Sequence, residues 1–350
     1  MDTVDRNWPE LLTTLLRRED LGADDTAWVM DQVMRGRATD ACLAGFLVAL
    51  RAKGVTVPEL TGLLRAMREH ALTVEVPGDA VDIVGTGGDG AHTVNISTMA
   101  AIVAAAAGVR VVKHGNRSVS SRSGSADLLE RLGLPLRLTP AQIAELVQEV
   151  GIAFCFAPVF HPAMRHAAPV RRELGTPTVF NLLGPLANPA APSGYAIGVA
   201  DPEAAPLVAG VLAERGVPAL VFRGDDGLDE LTVTTTSRVW SVHAGQVRQE
   251  VFDPRDLGLP YSPLAALRTD GPEHSAEVAR EVLAGVRGPV RDAVLLSAAA
   301  GIAVRHRPEL PVTERLADGL GRAAEAIDSG RGEALLQRWV EIAGKLTAEE

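Results

Sequence analysis

A chain of 350 residues, 47% of them hydrophobic, is long enough to bury a large core in about two domains, taking roughly 150 residues per domain. A net charge of −10 argues against generic affinity for nucleic acid or an anionic membrane, and two widely separated cysteines, Cys42 and Cys155, exclude a disulfide scaffold and a CxxC zinc site. The N-terminus lacks a basic stretch followed by an apolar one, and no run approaches about 18 uninterrupted apolar residues, so the expectation is a cytoplasmic protein without membrane association.

In chain order, residues 7–71 read as helices, with apolar residues at helical spacing, Gly36 and Gly54 as breaks and Thr56 with Pro58 as a helix start. Pro77 and Gly78 separate this bundle from the α/β part of the chain. Strands are expected at 81–84, 109–112, 153–156, 196–199 and 220–222, with covering helices at 142–150 and 206–215. Residues 232–242 and 246–251 read as a hairpin, and helices resume from His274. The expected fold class is α/β: a helical N-terminal domain plus a larger α/β domain with a central, mostly parallel sheet flanked by helices.

Two loops stand out. The first, GTGGDG at Gly85 to Gly90, leaves an apolar strand and runs through Thr93-Val-Asn-Ile-Ser-Thr98 into an apolar helix at 99–107, with Ser97 or Thr98 as its N-cap. Strand, glycine loop and helix aim backbone N–H groups at an anion. The second, KHGNRSVSSRSGS at Lys113 to Ser125, leaves the next strand. A right-handed crossover makes the strands parallel and brings both loops to the carboxyl edge of the sheet, where ligands of open α/β sheets bind. Glycines and hydroxyls then face Lys113, His114, Asn116, Arg117 and Arg122, and the natural guest is a polyanion such as a sugar phosphate carrying pyrophosphate. Residues 110–172 hold a local balance of +5 in an acidic chain. Lys113 is one of only three lysines against thirty-one arginines, and a compact ammonium suits phosphate as a point charge.

Downstream, Arg223-Gly-Asp-Asp-Gly-Leu-Asp-Glu-Leu231 carries four carboxylates with the wrong spacing for an EF-hand. Adjacent carboxylates at a strand end suit Mg²⁺ shared with substrate phosphates; a solvated acidic turn is the other reading. His161 and His166 are five apart and do not share a helix face, which argues against a metal pair. An arginine of the 165–172 segment, able to pair with a carboxylate, is the better candidate there.

In combination and order, GTGGD, NIST, KHGN, GLDE and VFNLLGPLANP closely resemble anthranilate phosphoribosyltransferase over nearly the whole chain. The resemblance implies transfer of a phosphoribosyl group from 5-phosphoribosyl 1-diphosphate (PRPP) to the amine of anthranilate in tryptophan biosynthesis, with release of pyrophosphate. It implies PRPP binding by Gly85, Gly88, Asp89, Thr93, Asn95, Ile96, Ser97 and Thr98, continued by Lys113, His114, Gly115, Asn116, Arg117, Ser118, Val119, Ser120, Ser121 and Ser125. Anthranilate falls to Gly85, His114, Asn116 and Arg171, and two Mg²⁺ ions to Ser97, Asp229 and Glu230. It further implies a helical domain at 1–75, joined by a segment near 163–185 and forming a homodimer, and an α/β domain at 76–350. No acid, base or nucleophile is assigned, since pyrophosphate is a good leaving group once its charge is neutralised. The alternatives are a pyrimidine nucleoside phosphorylase-like enzyme, whose first loop would instead carry a K-x-S-T-G-G pattern, and a non-enzymatic nucleic-acid-binding relative. One departure is Arg223, where many relatives have histidine.

Overall fold

In the computed structural model, which describes residues 6–118 and 121–348, the chain opens with helices α1 (Trp8–Leu16), α2 (Ala23–Met34), α3 (Asp40–Lys53) and α4 (Val57–Glu69). Their starts obey capping chemistry visible in the sequence. Asn7 Oδ1 accepts from Glu10 N at 3.0 Å, and Thr39 Oγ1 accepts from Cys42 N at 3.3 Å. Glu59 reaches back to Thr56 N at 2.9 Å, satisfying another donor that a helix start leaves open. The buried Glu59 carboxylate is also paired with Lys53 at 3.0 Å, which compensates its removal from water.

Next comes a seven-stranded sheet: β1 (Val81–Gly85), β2 (Val111–Gly115), β3 (Ile152–Phe156), β4 (Gly194–Gly198), β5 (Ala219–Gly224), β6 (Ser237–His243) and β7 (Gln246–Phe252). Between its strands lie α5 (Ile96–Ala106), α6 (Ser125–Arg131), α7 (Pro140–Glu149), α8 (Ala157–Phe160), α9 (Ala168–Leu174), α10 (Phe180–Leu186) and α11 (Ala204–Glu214). The closing helices are α12 (Pro272–Leu283), α13 (Pro289–Ala303), α14 (Val312–Asp328) and α15 (Arg331–Ala348). Spatial order is β3-β2-β1-β4-β5-β6-β7, parallel through β5 and antiparallel for the last two strands. Strand order reverses between β1 and β4, which makes their carboxyl ends the switch point where such sheets take ligands.

Two apolar cores cover the sheet. One unites Ile83, Val111 and the almost wholly buried α5 with the closing helices. The other joins the N-terminal bundle to Tyr195, Ile197 and Val221 of the sheet, and it includes Val170, Phe180 and Leu183. Helices α9 and α10 therefore share the bundle's core.

Three expected elements shift by three residues or more at one end. Strand β2 runs from Val111 to Gly115 rather than over 109–112. Gly108 closes α5 at φ 91°, and Val109 N–H returns to Ala104 O at 3.1 Å, so Val109 belongs to the helix cap and not to the strand. Helix α5 begins at Ile96, placing Ser97 and Thr98 inside its first turn with Asn95 as N-cap. Residues 232–236 precede β6: the hydroxyls of Thr232, Thr234 and Thr236 bond Asp226 or Asp225 in a turn whose β-branched composition mimics a strand. Both cysteines are free; Cys155 is buried in β3, while Cys42 is half-buried.

Candidate active site

The first loop is held against the acidic loop at the switch point. Gly85 and Gly198 pair across β1 and β4, and a Cβ on either would overlap Asp229, so only glycine lets the acidic loop cross here. Gly87 N–H donates to Asp229 Oδ2 at 2.7 Å. Gly87, Gly88, Gly90 and His92 all adopt positive φ, turning the loop into a series of backbone N–H concavities. Asp89 lies close enough to Asp229 for its charge to raise that residue's pKa.

The four carboxylates of the acidic loop divide into two pairs. Asp225 accepts from Thr236 and Arg238, and Asp226 accepts from Thr232, so these two build the turn. Asp229 and Glu230 turn inward. Burial, then the neighbouring Asp89, pushes Asp229 up to about 7. Burial, then Asp229, pushes Glu230 up to about 8, although Ser297 Oγ donates to it at 2.8 Å. Arg223 donates to Ala200 O at 2.8 Å and Gly224 O at 3.1 Å, so it braces the strand end and leaves the inward pair untouched.

Opposite them stands Lys113, only 2% exposed. The corrected β2 boundary makes Lys113, His114 and Gly115 strand residues, in register with Phe154, Cys155 and Phe156 of β3. Lys113 Nζ donates to Ile83 O at 2.5 Å and lies 3.2 Å from Ser97 Oγ. Burial lowers its pKa, while Asp82, Glu230 and Asp229 raise it. Lys53 and Lys345 both form ion pairs; Lys113 alone among the three lysines has no carboxylate within salt-bridge distance among the described residues.

Beyond Val81 and Val111 the seam between β1 and β2 is closed by side chains instead of a ladder. Lys113 takes Ile83 O. Asn188 Nδ2 donates both to Val112 O and to Asp82 Oδ2, each at 2.8 Å. Asp82 Oδ1 accepts from His114 N at 3.3 Å. Burial pushes Asp82 up to about 6, against the opposing charge of Lys113.

His114 and His161 then secure the end of α10. His114 Nδ1 is 3.0 Å from Gly184 O and His161 Nε2 is 2.9 Å from Ala187 O, with ring centroids 5.1 Å apart. Carbonyls only accept, so the protons sit on those nitrogens. His114 Nε2 is left as a buried lone pair without a partner among the described residues. Burial pulls His114 down to about 3 and His161 down to about 4, so both are neutral near pH 7.

The second loop is fastened to the first: Ser123 Oγ donates to Asn95 Oδ1 at 2.7 Å and Asn95 Nδ2 donates to Ser123 O at 3.0 Å. This engagement explains why Asn95 makes no side-chain cap on α5. Asp127 Oδ2 gathers Ser118 N and Gly124 N at 3.0 and 2.9 Å, Ser118 Oγ and Ser121 Oγ lie 2.7 Å apart, and Ser125 Oγ donates to Asn116 O at 3.2 Å. Arg117 is paired with Asp127 and Glu130, and Arg122 with Asp270, so part of the basic window is neutralised. Val119 and Ser120 lie outside the described residues. Thr98 Oγ1 is buried without a partner among the described residues.

Arg171, on α9, stacks its guanidinium 5.0 Å from the Phe180 ring of α10 and has no ion pair or hydrogen bond through its side chain to any described residue. Burial lowers its pKa. His166 instead sits against Gly36. Helix α10 thus links Arg171 and His114 through Phe180 and Gly184.

Asp82, Asn188, His161 and Ser297 take part in this arrangement although sequence reasoning does not single them out as site residues. Asn188 closes the VFNLLGPLANP motif and is the one detectable signal; the partners of the others are tertiary. No group of three or more His, Cys, Asp or Glu side chains among the described residues forms a metal cage. Two inward carboxylates opposed by one lysine fit a hard divalent cation that completes its sphere with water and substrate oxygens.

Two anion-ready loops at the switch point of an α/β sheet, joined to a helical bundle, define a glycosyl-transferring enzyme. Residues 77–333 match the α/β domain of a glycosyl transferase family, and residues 9–71 match that family's helical bundle domain. Anthranilate phosphoribosyltransferases from Streptomyces griseus and Thermobifida fusca are 60% and 57% identical, over 96% of this chain and 95% and 97% of theirs. The crystal structure of the Thermus thermophilus anthranilate phosphoribosyltransferase superposes with a TM-score of 0.88 at 44% identity, covering 95% of this chain and 99% of that one. The Saccharomyces cerevisiae enzyme in complex with PRPP and Mg gives 0.85 at 28% identity, covering 97% and 98%. The chain belongs to the anthranilate phosphoribosyltransferase family.

Proposed function

We propose that this enzyme transfers the 5-phosphoribosyl group of PRPP to anthranilate, giving N-(5-phosphoribosyl)anthranilate and pyrophosphate. By direct displacement or an oxocarbenium-like route, the anthranilate nitrogen bonds to the anomeric carbon, the carbon–oxygen bond to pyrophosphate breaks with its bonding pair leaving on pyrophosphate, and the amine releases one proton. The carrying observation is the pair of cross-fastened loops at the switch point, with Lys113 on one side and Asp229 and Glu230 on the other. The S. cerevisiae relative was solved with PRPP and Mg, and also with 4-fluoroanthranilate, which supports the same ligands here.

In this reading the N–H groups of the first loop, Asn95 to Thr98 and the second loop through Ser125 hold PRPP. Arg171 pairs with the anthranilate carboxylate, and Gly85, His114 and Asn116 border the ring and amine, with His114 Nε2 as acceptor. Ser97, Asp229 and Glu230 hold Mg²⁺, two ions per site, which when bound neutralises charge on the departing pyrophosphate. Holding two substrates in reactive geometry supplies on the order of 7–11 kcal/mol, so no covalent nucleophile is required. We assign the enzyme to tryptophan biosynthesis in the cytoplasm, acting as a homodimer through the helical domain. That domain comprises 1–75 with the joining segment near 163–185, and 76–350 forms the α/β domain. No helix among the described residues is long and apolar enough to cross a membrane.

The test is anthranilate fluorescence with purified protein and PRPP, with Mg²⁺ and then with EDTA. Mg²⁺-dependent loss of signal with equimolar pyrophosphate is the expected result; no loss at high enzyme concentration refutes the reading.

A further inference from the structure

Residues 264–271 carry none of the family motifs, yet they close one side of the first loop. Val94 N–H donates to Leu267 O at 2.8 Å and Thr269 N–H donates to His92 O at 2.9 Å, which sets Thr93 and Arg268 opposite one another in an isolated antiparallel bridge. Bonds flanking the pair in this way define a non-hydrogen-bonded position, with Cα atoms about 4.5 Å apart and both side chains leaving on the same face. Arg268 therefore emerges beside Thr93, a residue assigned to the PRPP site.

The support is firm on both sides of it. Leu267 and Thr269 are buried, and Thr269 Oγ1 donates to Gly271 O at 2.9 Å and accepts from Ser275 Oγ at 3.0 Å. The second loop reaches the same segment, since Arg122 pairs with Asp270 at 3.0 Å. That contact also occupies the carboxylate nearest Arg268 in sequence. Arg268 itself is exposed, and its side chain makes no hydrogen bond or ion pair with any described residue. A fork of free guanidinium donors, carried on a braced segment that touches both anion-binding loops, matches the geometry of a phosphoryl group.

We propose that Arg268 is a phosphate-binding residue of this site, presented by the 264–271 strap. The proposal rests on PRPP as the substrate and adds a third wall to its site.

The experiment compares full-length wild type with Arg268→Ala and Arg268→Lys in steady-state assays. Arg268→Ala is expected to raise the KM for PRPP about tenfold or more while the KM for anthranilate stays within about twofold, as loss of one charge-assisted contact predicts. Arg268→Lys should restore part of that loss. Inhibition by ribose 5-phosphate and by inorganic pyrophosphate identifies the phosphoryl group concerned, because only the ligand that Arg268 touches loses affinity in the alanine variant. An unchanged KM for PRPP overturns the proposal, and so does an equal rise for both substrates, which marks a structural strap. Should the wild type fail to consume anthranilate, the proposed reaction falls on its own. Calorimetric binding of the same two phosphates to wild type and Arg268→Ala then still decides: weaker binding of either supports the assignment, and equal binding of both overturns it.

Discussion

Asp229 and Glu230 sit in surroundings that oppose their negative charge, and a bound cation would relieve that conflict. Burial raises both carboxyls, Asp229 to about 7 with the charge of Asp89 and Glu230 to about 8 with the charge of Asp229, while Lys113 is the cation opposing Glu230. Glu230→Gln keeps the volume and the contact with Ser297 but removes one charge. Its activation by Mg²⁺ should therefore require a metal concentration higher on the order of tenfold or more, since even outer-sphere losses at metal sites reach that scale. Near pH 7 the metal-free variant should also unfold at a higher temperature than metal-free wild type, because Glu230 must take up a proton on folding or keep its charge against burial and Asp229, and glutamine does neither. A Mg²⁺ titration of initial rates and a melting curve in EDTA check both; an unshifted titration removes the acidic-loop assignment. Arg171 presents the opposite case, a cation with no anion beside it among the described residues, held over Phe180. Arg171→Ala should raise the KM for anthranilate about ten- to hundredfold, the equivalent of roughly 1.5–3 kcal/mol for a lost charged hydrogen bond. Equal changes for both substrates would make it a structural arginine.

The seam between β1 and β2 shows why some elements are legible in the sequence and others are not. Apolar runs and glycine punctuation disclose every strand, because hydrophobic pattern and turn chemistry are local. The start of β2 is misplaced by that pattern since Val109 is apolar for another reason, as the cap of α5. The shift has consequences, for it turns Lys113 and His114 from loop residues into strand residues fixed by β3. Lys113 is conspicuous as a rare lysine in a polar motif. Asp82 cannot be seen at all: a single acid inside an apolar strand gives no hint that its partners will be Asn188, over a hundred residues away, and the backbone of His114. Asn188→Leu would leave Val112 O, Asp82 Oδ2 and Ala190 N without the bonds they now make. At about 1–3 kcal/mol for each buried group, the expected loss is about 3 kcal/mol or more. Urea unfolding measures it, and a loss below about 1 kcal/mol would mean that water replaces Asn188 in the seam.

At the scale of the molecule, the sheet is joined to the bundle-side core partly through two neutral histidines, and their protonation couples active-site geometry to global stability. His114 falls to about 3 and His161 to about 4, both below the ordinary histidine value of 6.5. Between pH 6.5 and their native values the unfolded chain binds more protons than the native one, so these groups remove stability as pH falls. The slope approaches about 1.4 kcal/mol per pH unit for each histidine fully protonated only when unfolded. The buried carboxyls act in the other direction. Asp82, raised to about 6, holds its proton in the native state above its unfolded value and so adds stability as pH falls through 6. A pH profile of the wild type alone mixes these opposing effects, whereas a difference profile separates them. His161→Asn retains a side-chain N–H able to donate to Ala187 O but cannot take up a proton. Relative to this variant, the wild type should lose unfolding free energy steadily from pH 6.5 to pH 4 and show a constant difference above pH 7.5. Denaturant unfolding of both proteins across that range is the measurement. A flat difference would mean that His161 titrates alike in the folded and unfolded chains, and that burial at the end of α10 does not hold it in its neutral form.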